Sequence, residues 1–220
     1  MTQRPDAHKV CTVDIETYGG STKPTREDVS VPGNYTNPDT IKAYIDRTLP
    51  TLHNKQALNS VKGEIICIGL AIGEEPVEVL YRNLSEDELM KQFSTWLMDN
   101  GMDKVPVTWV GGNIEGFDLP WMAQRAWKYN LPLITKLIPA GRYDERIVDI
   151  IRLFSGTDYQ THHKVDDIAK FFGLGGKTGL PSEDVPQAYL DGRHEEIAAR
   201  CGEDVDIERA IAKILVPWIF

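Results

Sequence analysis

His8-Lys9-Val10-Cys11-Thr12-Val13-Asp14-Ile15, running on into Glu16-Thr17, is an apolar, β-branched stretch that closes on two acids. It reads as a first β-strand. Residues two apart in a strand share a face at roughly 7 Å. Asp14 and Glu16 therefore project together, while Val13 and Ile15 turn into the core on the other side. Two carboxylates on an otherwise apolar strand repel each other and lose hydration. A shared cation that favours oxygen ligands, Mg2+ or Mn2+, offsets both costs. Taken alone, the pair fits a strand end fraying into solvent equally well.

Beyond this strand, Tyr18 to Lys62 is polar and broken by Gly19-Gly20, Pro24, Pro32 and Pro38. It is too long for a bare loop. Asn37-Pro38-Asp39-Thr40 opens a helix over IKAYIDRTL, with proline in the first turn. The stretch is expected to be an insertion at about 18–62 carrying one short helix, either a flap over a site or a decorative excursion. Glu64 to Ile72 and Val77 to Tyr81 read as strands around Gly73-Glu74-Glu75-Pro76. Ser85 with Glu88 forms a capping-box pattern for a helix through Met98. Val105 to Val110 is a further strand. Helices are expected at Phe117 to Tyr129, Arg146 to Phe154, Val165 to Phe172 and Glu195 to Leu215, with Pro181 and Pro186 as turn signals. This order predicts one α/β domain over residues 1–220, built on one sheet.

The 220 residues are 41% hydrophobic and 26% charged, ordinary values for a globular protein. No apolar run is long enough to span a bilayer, and MTQRPDAHK lacks the apolar core of a signal peptide. A cytoplasmic, intracellular chain with no membrane partner is the expectation. Cys11, Cys67 and Cys201 show no zinc-type spacing and are expected buried and reduced. The formal charge of −9 argues against broad electrostatic binding to duplex DNA. It leaves room for an enzyme gripping a few terminal nucleotides, because bound cations reverse the sign of an acidic cleft.

Two more segments carry acids. Val110-Gly111-Gly112-Asn113-Ile114-Glu115-Gly116-Phe117-Asp118 ends a strand in glycines, which admit close approach, and opens a helix at Asp118. Taken alone, that Asp is more readily a helix N-cap. In Ala199-Arg200-Cys201-Gly202-Glu203-Asp204-Val205, four-residue spacing puts Ile197, Cys201 and Val205 on a core stripe with Asp204 at its margin, where a surface acid is the plain alternative.

VDIET, NIEGFD and CGEDV together resemble the three ordered motifs of the DnaQ-like (DEDD) 3′→5′ exonucleases. Val165-Asp166-Asp167-Ile168-Ala169-Lys170-Phe171-Phe172-Gly173-Leu174, Gly176-Lys177, Val185 and Tyr189-Leu190-Asp191-Gly192 look like a subfamily related to the exonuclease domain of B-family DNA polymerases. The resemblance implies an RNase H-like fold, a mixed five-stranded central sheet flanked by helices. It implies that Asp14, Glu16, Asp118 and Asp204 hold two divalent ions, Mg2+ or Mn2+, about 3.5–4 Å apart, one activating water and the other stabilising the leaving 3′ oxygen. The implied substrate is the 3′ end of single-stranded DNA, cleaved to nucleoside 5′-monophosphates, with RNA an alternative and a replication or repair protein a further partner. Thr17, Asn113 and Phe117 are candidate substrate contacts, Asn113 alternatively fixing its own loop.

The chain departs from the pattern at one place. Family members carry a Tyr four residues, or a His five residues, before the last Asp, to orient or deprotonate water. Here those positions are Arg200 and Ala199. Arginine stays protonated and cannot act as a base, so a catalytically weak nucleic-acid-binding module is the rival reading. Arg200 lies one turn from Asp204 on the same face, placed to pair with it or to contact a phosphate. His194 lies roughly 15 Å from Asp204 along a continuous helix; His162 and His163 read as loop histidines. Trp96, Trp109, Trp121 and Trp127 read as core. Lys177 in GLGGKTG lacks P-loop spacing.

Overall fold

The computed structural model describes residues 8–83, 85–139, 144–156 and 163–220. Five strands form one sheet: β1 (Lys9–Tyr18), β2 (Glu64–Ile72), β3 (Glu78–Tyr81), β4 (Val107–Gly111) and β5 (Ile147–Asp149), in the order β3-β2-β1-β4-β5. β1 is central, antiparallel to β2 and parallel to β4; β2–β3 is antiparallel and β4–β5 parallel. The helices are α1 (Pro38–Gln56), α2 (Glu86–Asp99), α3 (Asp118–Lys128), α4 (Pro132–Leu137), α5 (Ile150–Ser155), α6 (Val165–Phe171), α7 (Val185–Leu190) and α8 (His194–Leu215). This is the mixed, helix-flanked α/β sheet expected above.

Alternation along β1 sorts its side chains between two cores. Cys11, Val13 and Ile15 join Leu89, Phe93, Leu97, Leu119, Met122 and Ile134 under α2, α3 and α4. On the opposite face Val10 meets Ile168 and Ile211, and Tyr18 meets Val185, Ile197 and Cys201, under α5 to α8. Asp14 and Glu16 belong to this second face. The predicted stripe of Ile197, Cys201 and Val205 is fully buried there, and all three cysteines are buried and free.

Ser85 caps α2 by accepting the Glu88 N–H at 3.1 Å, as its sequence pattern required. Four expectations need correction. Arg146 to Phe154 is not one helix: Ile147–Asp149 is the edge strand β5, and Asp149 then caps α5, accepting the Arg152 N–H at 3.0 Å. A short apolar run does not by periodicity reveal which of its residues pair with a parallel neighbour. Pro186 lies in the first turn of the unpredicted helix α7 rather than marking a turn, since proline suits the first helical turn, and Pro132 likewise opens the unpredicted α4. Trp127 is 62% exposed, whereas Trp96, Trp109 and Trp121 are core.

The helix in the 18–62 stretch is long, not short. Asn37 caps it by accepting from Asp39 and Thr40, and it continues for 19 residues through Pro50. It buries only Ile45 and Gln56, so its length rests on local bonding more than on the core. The base of the stretch is moored firmly. The Arg125 guanidinium donates to the carbonyls of Ser60 and Gly63 and to the buried carboxylate of Glu86, which also accepts from Tyr129 Oη at 2.6 Å and the Ile65 N–H at 2.8 Å. Thr17 Oγ1 donates to the Ala57 carbonyl at 2.6 Å.

Candidate active site

Gly69 lies opposite Asp14 in the β1–β2 ladder. A Cβ there would stand 2.8 Å from Val205 Cγ2 and 3.0 Å from the Cys201 carbonyl, so glycine lets α8 come down onto the sheet. Just beyond, the register shifts between Glu16 and Thr17, a bulge of the kind that re-aims side chains beside functional sites. The result is convergence. Asp14 and Glu16 from β1 and Asp204 from α8 present carboxylate oxygens within 4.8 Å of one another. Asp204 is 2% exposed, not a surface acid.

Asp118 reaches the same region from the other side of β1. The β1–β4 pairing extends through Thr12 and Val110, and beyond it Asp118 Oδ1 accepts the Ile15 N–H at 3.0 Å. Asp118 is the first residue of α3, whose N-cap Phe117 makes no side-chain cap bond. The carboxylate therefore bridges α3 to the strand that carries Asp14 and Glu16.

Two cations sit among these acids. Arg200 Nε lies 2.6 Å from Glu16 Oε1 and Nη2 lies 3.0 Å from Asp204 Oδ2. The Nε contact is close but poorly aligned, an ion pair rather than a hydrogen bond. Nη1 donates to the Leu180 carbonyl at 2.7 Å and Nη2 to Ser182 Oγ at 2.8 Å. The guanidinium thus pairs with Asp204, as its position on the helix suggested, and spends its donors inside the protein. Lys177 Nζ lies 2.6 Å from Asp204 Oδ1 with its side chain 25% exposed.

The electrostatics are those of acids short of positive charge. Burial, followed by the charges of Glu208, Asp118, Glu16 and Asp204, holds the Asp14 carboxyl well above the usual carboxylate range. Burial pushes Asp118 up to about 7 against the hydrogen bond from Ile15. Glu16 is also raised to about 7, because burial outweighs the opposing Arg200 guanidinium. A divalent cation relieves this strain, and an all-carboxylate set of convergent oxygens suits Mg2+ or Mn2+. The residues present fit such an ion.

The remaining predicted residues are placed as follows. Thr17 is buried, its hydroxyl committed to Ala57. Asn113 adopts a left-handed φ of 57°, tolerated by Asn, and its carbonyl accepts from Gly116 and Phe117; this is loop-fixing geometry. Phe117 packs on Trp121 with ring centroids 5.5 Å apart. His163 stacks edge-on against Phe154, and His194 bonds Tyr81 Oη at the far end of α8. His162 lies outside the described residues.

Three residues escaped the sequence reading. Lys177 was noted within the subfamily resemblance and dismissed as a P-loop lysine, with no role at the acids assigned to it. Asp149 accepts from the N–H groups of Asn113 and Glu115, each at 3.3 Å, and so shapes the loop before Asp118. Glu208 is 3% exposed and accepts the Gly112 N–H at 2.9 Å. Its i+4 spacing from Asp204 was the available signal.

Comparison with known proteins fits this geometry. No curated protein matches the chain. Among solved structures, the family B DNA polymerase from the hyperthermophilic archaeon Pyrobaculum calidifontis is similar, with a TM-score of 0.64 over 99% of this chain at 16% identity. The chain spans 26% of that polymerase chain. At this identity the likeness establishes the fold, an RNase H-like α/β sheet. Residues 66–207 match a family described as "Predicted 3'-5' exonuclease related to the exonuclease domain of PolB". Because that segment covers well over half of the sequence and includes Asp118, Arg200 and Asp204, the chain belongs to this family of predicted exonucleases related to the exonuclease domain of PolB.

Proposed function

We propose that the chain is a divalent-metal-dependent 3′→5′ exonuclease that removes nucleoside 5′-monophosphates from the 3′ end of single-stranded DNA. The observation that carries this reading is the convergence of Asp14, Glu16 and Asp204 within 4.8 Å, with Asp118 fastened to the same strand, in a chain of this family. Asp14, Glu16, Asp118 and Asp204 would hold Mg2+ or Mn2+. When bound, such ions lower the pKa of water and stabilise the charge on the attacking and leaving oxygens.

The chain's own residues set the rest. Asp118 fixes the height of Ile15, and with it the acids on either side. Arg200 is buried and has no basic form; it aligns Glu16 with Asp204 and ties both to the 180–182 segment. Lys177, partly exposed beside Asp204, is the cation placed to meet a phosphate oxygen. All 220 residues act as one exonuclease domain, and the insertion at about 18–62 forms a flap whose base at Ala57 touches Thr17.

The test is a 5′-labelled single strand incubated with Mg2+, Mn2+ or EDTA, with products identified by mass. Stepwise shortening with 5′-monophosphate release, blocked by EDTA and by Asp14→Asn, is expected. Release from the 5′ end, or turnover undiminished in EDTA, would sink the reading. Matched DNA and RNA strands decide the sugar preference, for which DNA is expected.

A further inference from the structure

Glu208 is one helical turn past Asp204 on α8 and 97% buried, its residue exposure being 3%. One carboxylate oxygen is accounted for: Oε1 accepts the Gly112 N–H at 2.9 Å. The fit there is tight, since a Cβ on Gly112 would stand 2.7 Å from that oxygen. The other oxygen, Oε2, is buried with no hydrogen-bond partner. A buried, unpartnered carboxylate oxygen is destabilising, more so when the group is charged. If anchoring Gly112 were the whole role, a neutral acceptor would serve without that cost. The charges felt most strongly at Glu208 are those of Asp118 and then Asp204, and Glu208 is the strongest charged neighbour of Asp14. Glu208 therefore belongs to the same buried group of acids, one helical turn from Asp204, with its second oxygen unpartnered inside the protein.

We propose that Glu208 is a fifth acidic member of the metal site, its Oε2 helping Asp14 and Asp118 to hold a second divalent cation. The first position is the Asp14–Glu16–Asp204 trio. Only that trio, among the described residues, already offers ligand atoms within 4.8 Å of one another. Glu208 completes the second position by turning its carboxylate about the Gly112 bond, or through a water that Mg2+ retains. The inference rests on the metal-dependent reading above, and it adds a ligand that the three motifs do not contain.

Mn2+ binding to the intact chain, followed by calorimetry and by the EPR signal of free Mn2+, tests it without recourse to activity. The parent is expected to bind two ions. Glu208→Gln keeps an oxygen for the Gly112 N–H and is expected to fold at least as stably without metal. It should weaken the second ion by about 10–100-fold, the range seen when partners around a bound metal are lost, and leave the first unchanged. Glu208→Met should lose the second ion likewise. Two Mn2+ bound by Glu208→Gln with parental affinities would overturn the proposal and leave Glu208 as an anchor for Gly112. A parent that binds a single ion, with Glu208→Gln identical to it, would overturn it equally. Asp14→Asn serves as the control: if it binds Mn2+ like the parent, the metal-site reading itself fails, irrespective of Glu208.

Discussion

Raising the pH from 6 to 8 in the absence of metal should destabilise this protein, against the usual behaviour of buried acids held by cations. Asp118 and Glu16 are 3% and 9% exposed, and each carboxyl is raised to about 7 in the fold. In the unfolded chain both ionise near their ordinary values of about 4. Between those limits the folded state holds protons that the unfolded state has lost, so stability falls as pH rises and levels off above the folded pKa. Across pH 6 to 8 one such group loses about 1.4 kcal/mol, and the pair about 2–3 kcal/mol. For a chain of this length that corresponds to a drop in Tm of about 5–10 °C. Calorimetry in EDTA at the two pH values reads the difference directly. Asp118→Asn and Glu16→Gln should each lessen the slope, to which Asp14 and Glu208, raised in the same direction, also contribute, and saturating Mg2+ should flatten it by taking the place of the protons. A parent Tm that is level or rises with pH, or a slope untouched by both substitutions, refutes the reasoning.

Asp14→Asn and Asp204→Asn should each cut turnover more than about 100-fold, beyond the usual cost of losing a partner outside the ligand shell, while circular dichroism stays parental; near-parental rates remove that residue from the site. Arg200→Ala uncovers Glu16 and Asp204, so we expect tighter Mn2+ binding, with metal-free stability falling by about 3–5 kcal/mol as a buried pair is broken; unchanged Mn2+ affinity would show the guanidinium to be a bystander. Shortening α1 between Ile41 and Thr51 should leave Tm within a few degrees, because only Ile45 of that stretch is buried, yet alter the preference among single-stranded, nicked and paired ends. An unfolded product would make the insertion structural. Arg125→Met should cost about 3–5 kcal/mol by leaving Glu86 buried without its main partner, read as a lowered denaturation midpoint; a midpoint within error of the parent contradicts that assignment.

The central strand and the site's three segments were legible because their signals are local. Period-two alternation in β1 places Asp14 and Glu16 on one face without any tertiary information, and four-residue spacing on α8 buries Ile197, Cys201 and Val205. Long-range partners were not legible. Asp149 reads as part of a helix until its strand pairs with β4, and only then does its carboxylate meet Asn113 and Glu115. Lys177 lies 27 positions before Asp204, across α7 and a loop, and nothing in GLGGKTG announces the carboxylate it meets. Asp118 was ambiguous between cap and site because the deciding contact, the Ile15 N–H, lies 103 residues away.

Arg200 shows how a departure from a family's pattern can be absorbed by the surrounding charge. A Tyr at its position, or a His in place of Ala199, adds no permanent charge to a cluster of acids, whereas a guanidinium does. In this chain the added charge is matched by added acid: Glu208 brings a fifth carboxylate to the cluster, one turn beyond Asp204 and two turns beyond Arg200 on the same face of α8. The two cations also occupy a definite subset of oxygens. Arg200 takes Glu16 Oε1 and Asp204 Oδ2, and Lys177 takes Asp204 Oδ1. Asp14, half-buried as a residue, accepts a weak contact at its carboxylate from Cys201 Sγ at 3.6 Å. The acid at the centre of the sheet thus remains the one open to an incoming ion, while the acids around it are held in place by fixed charge. Such a site does not need the aromatic residue to keep its shape, and on the proposed exonuclease reading the loss of a water-orienting side chain is expected as a deficit in rate, about 10²–10⁴-fold for general-base help, rather than as a loss of architecture.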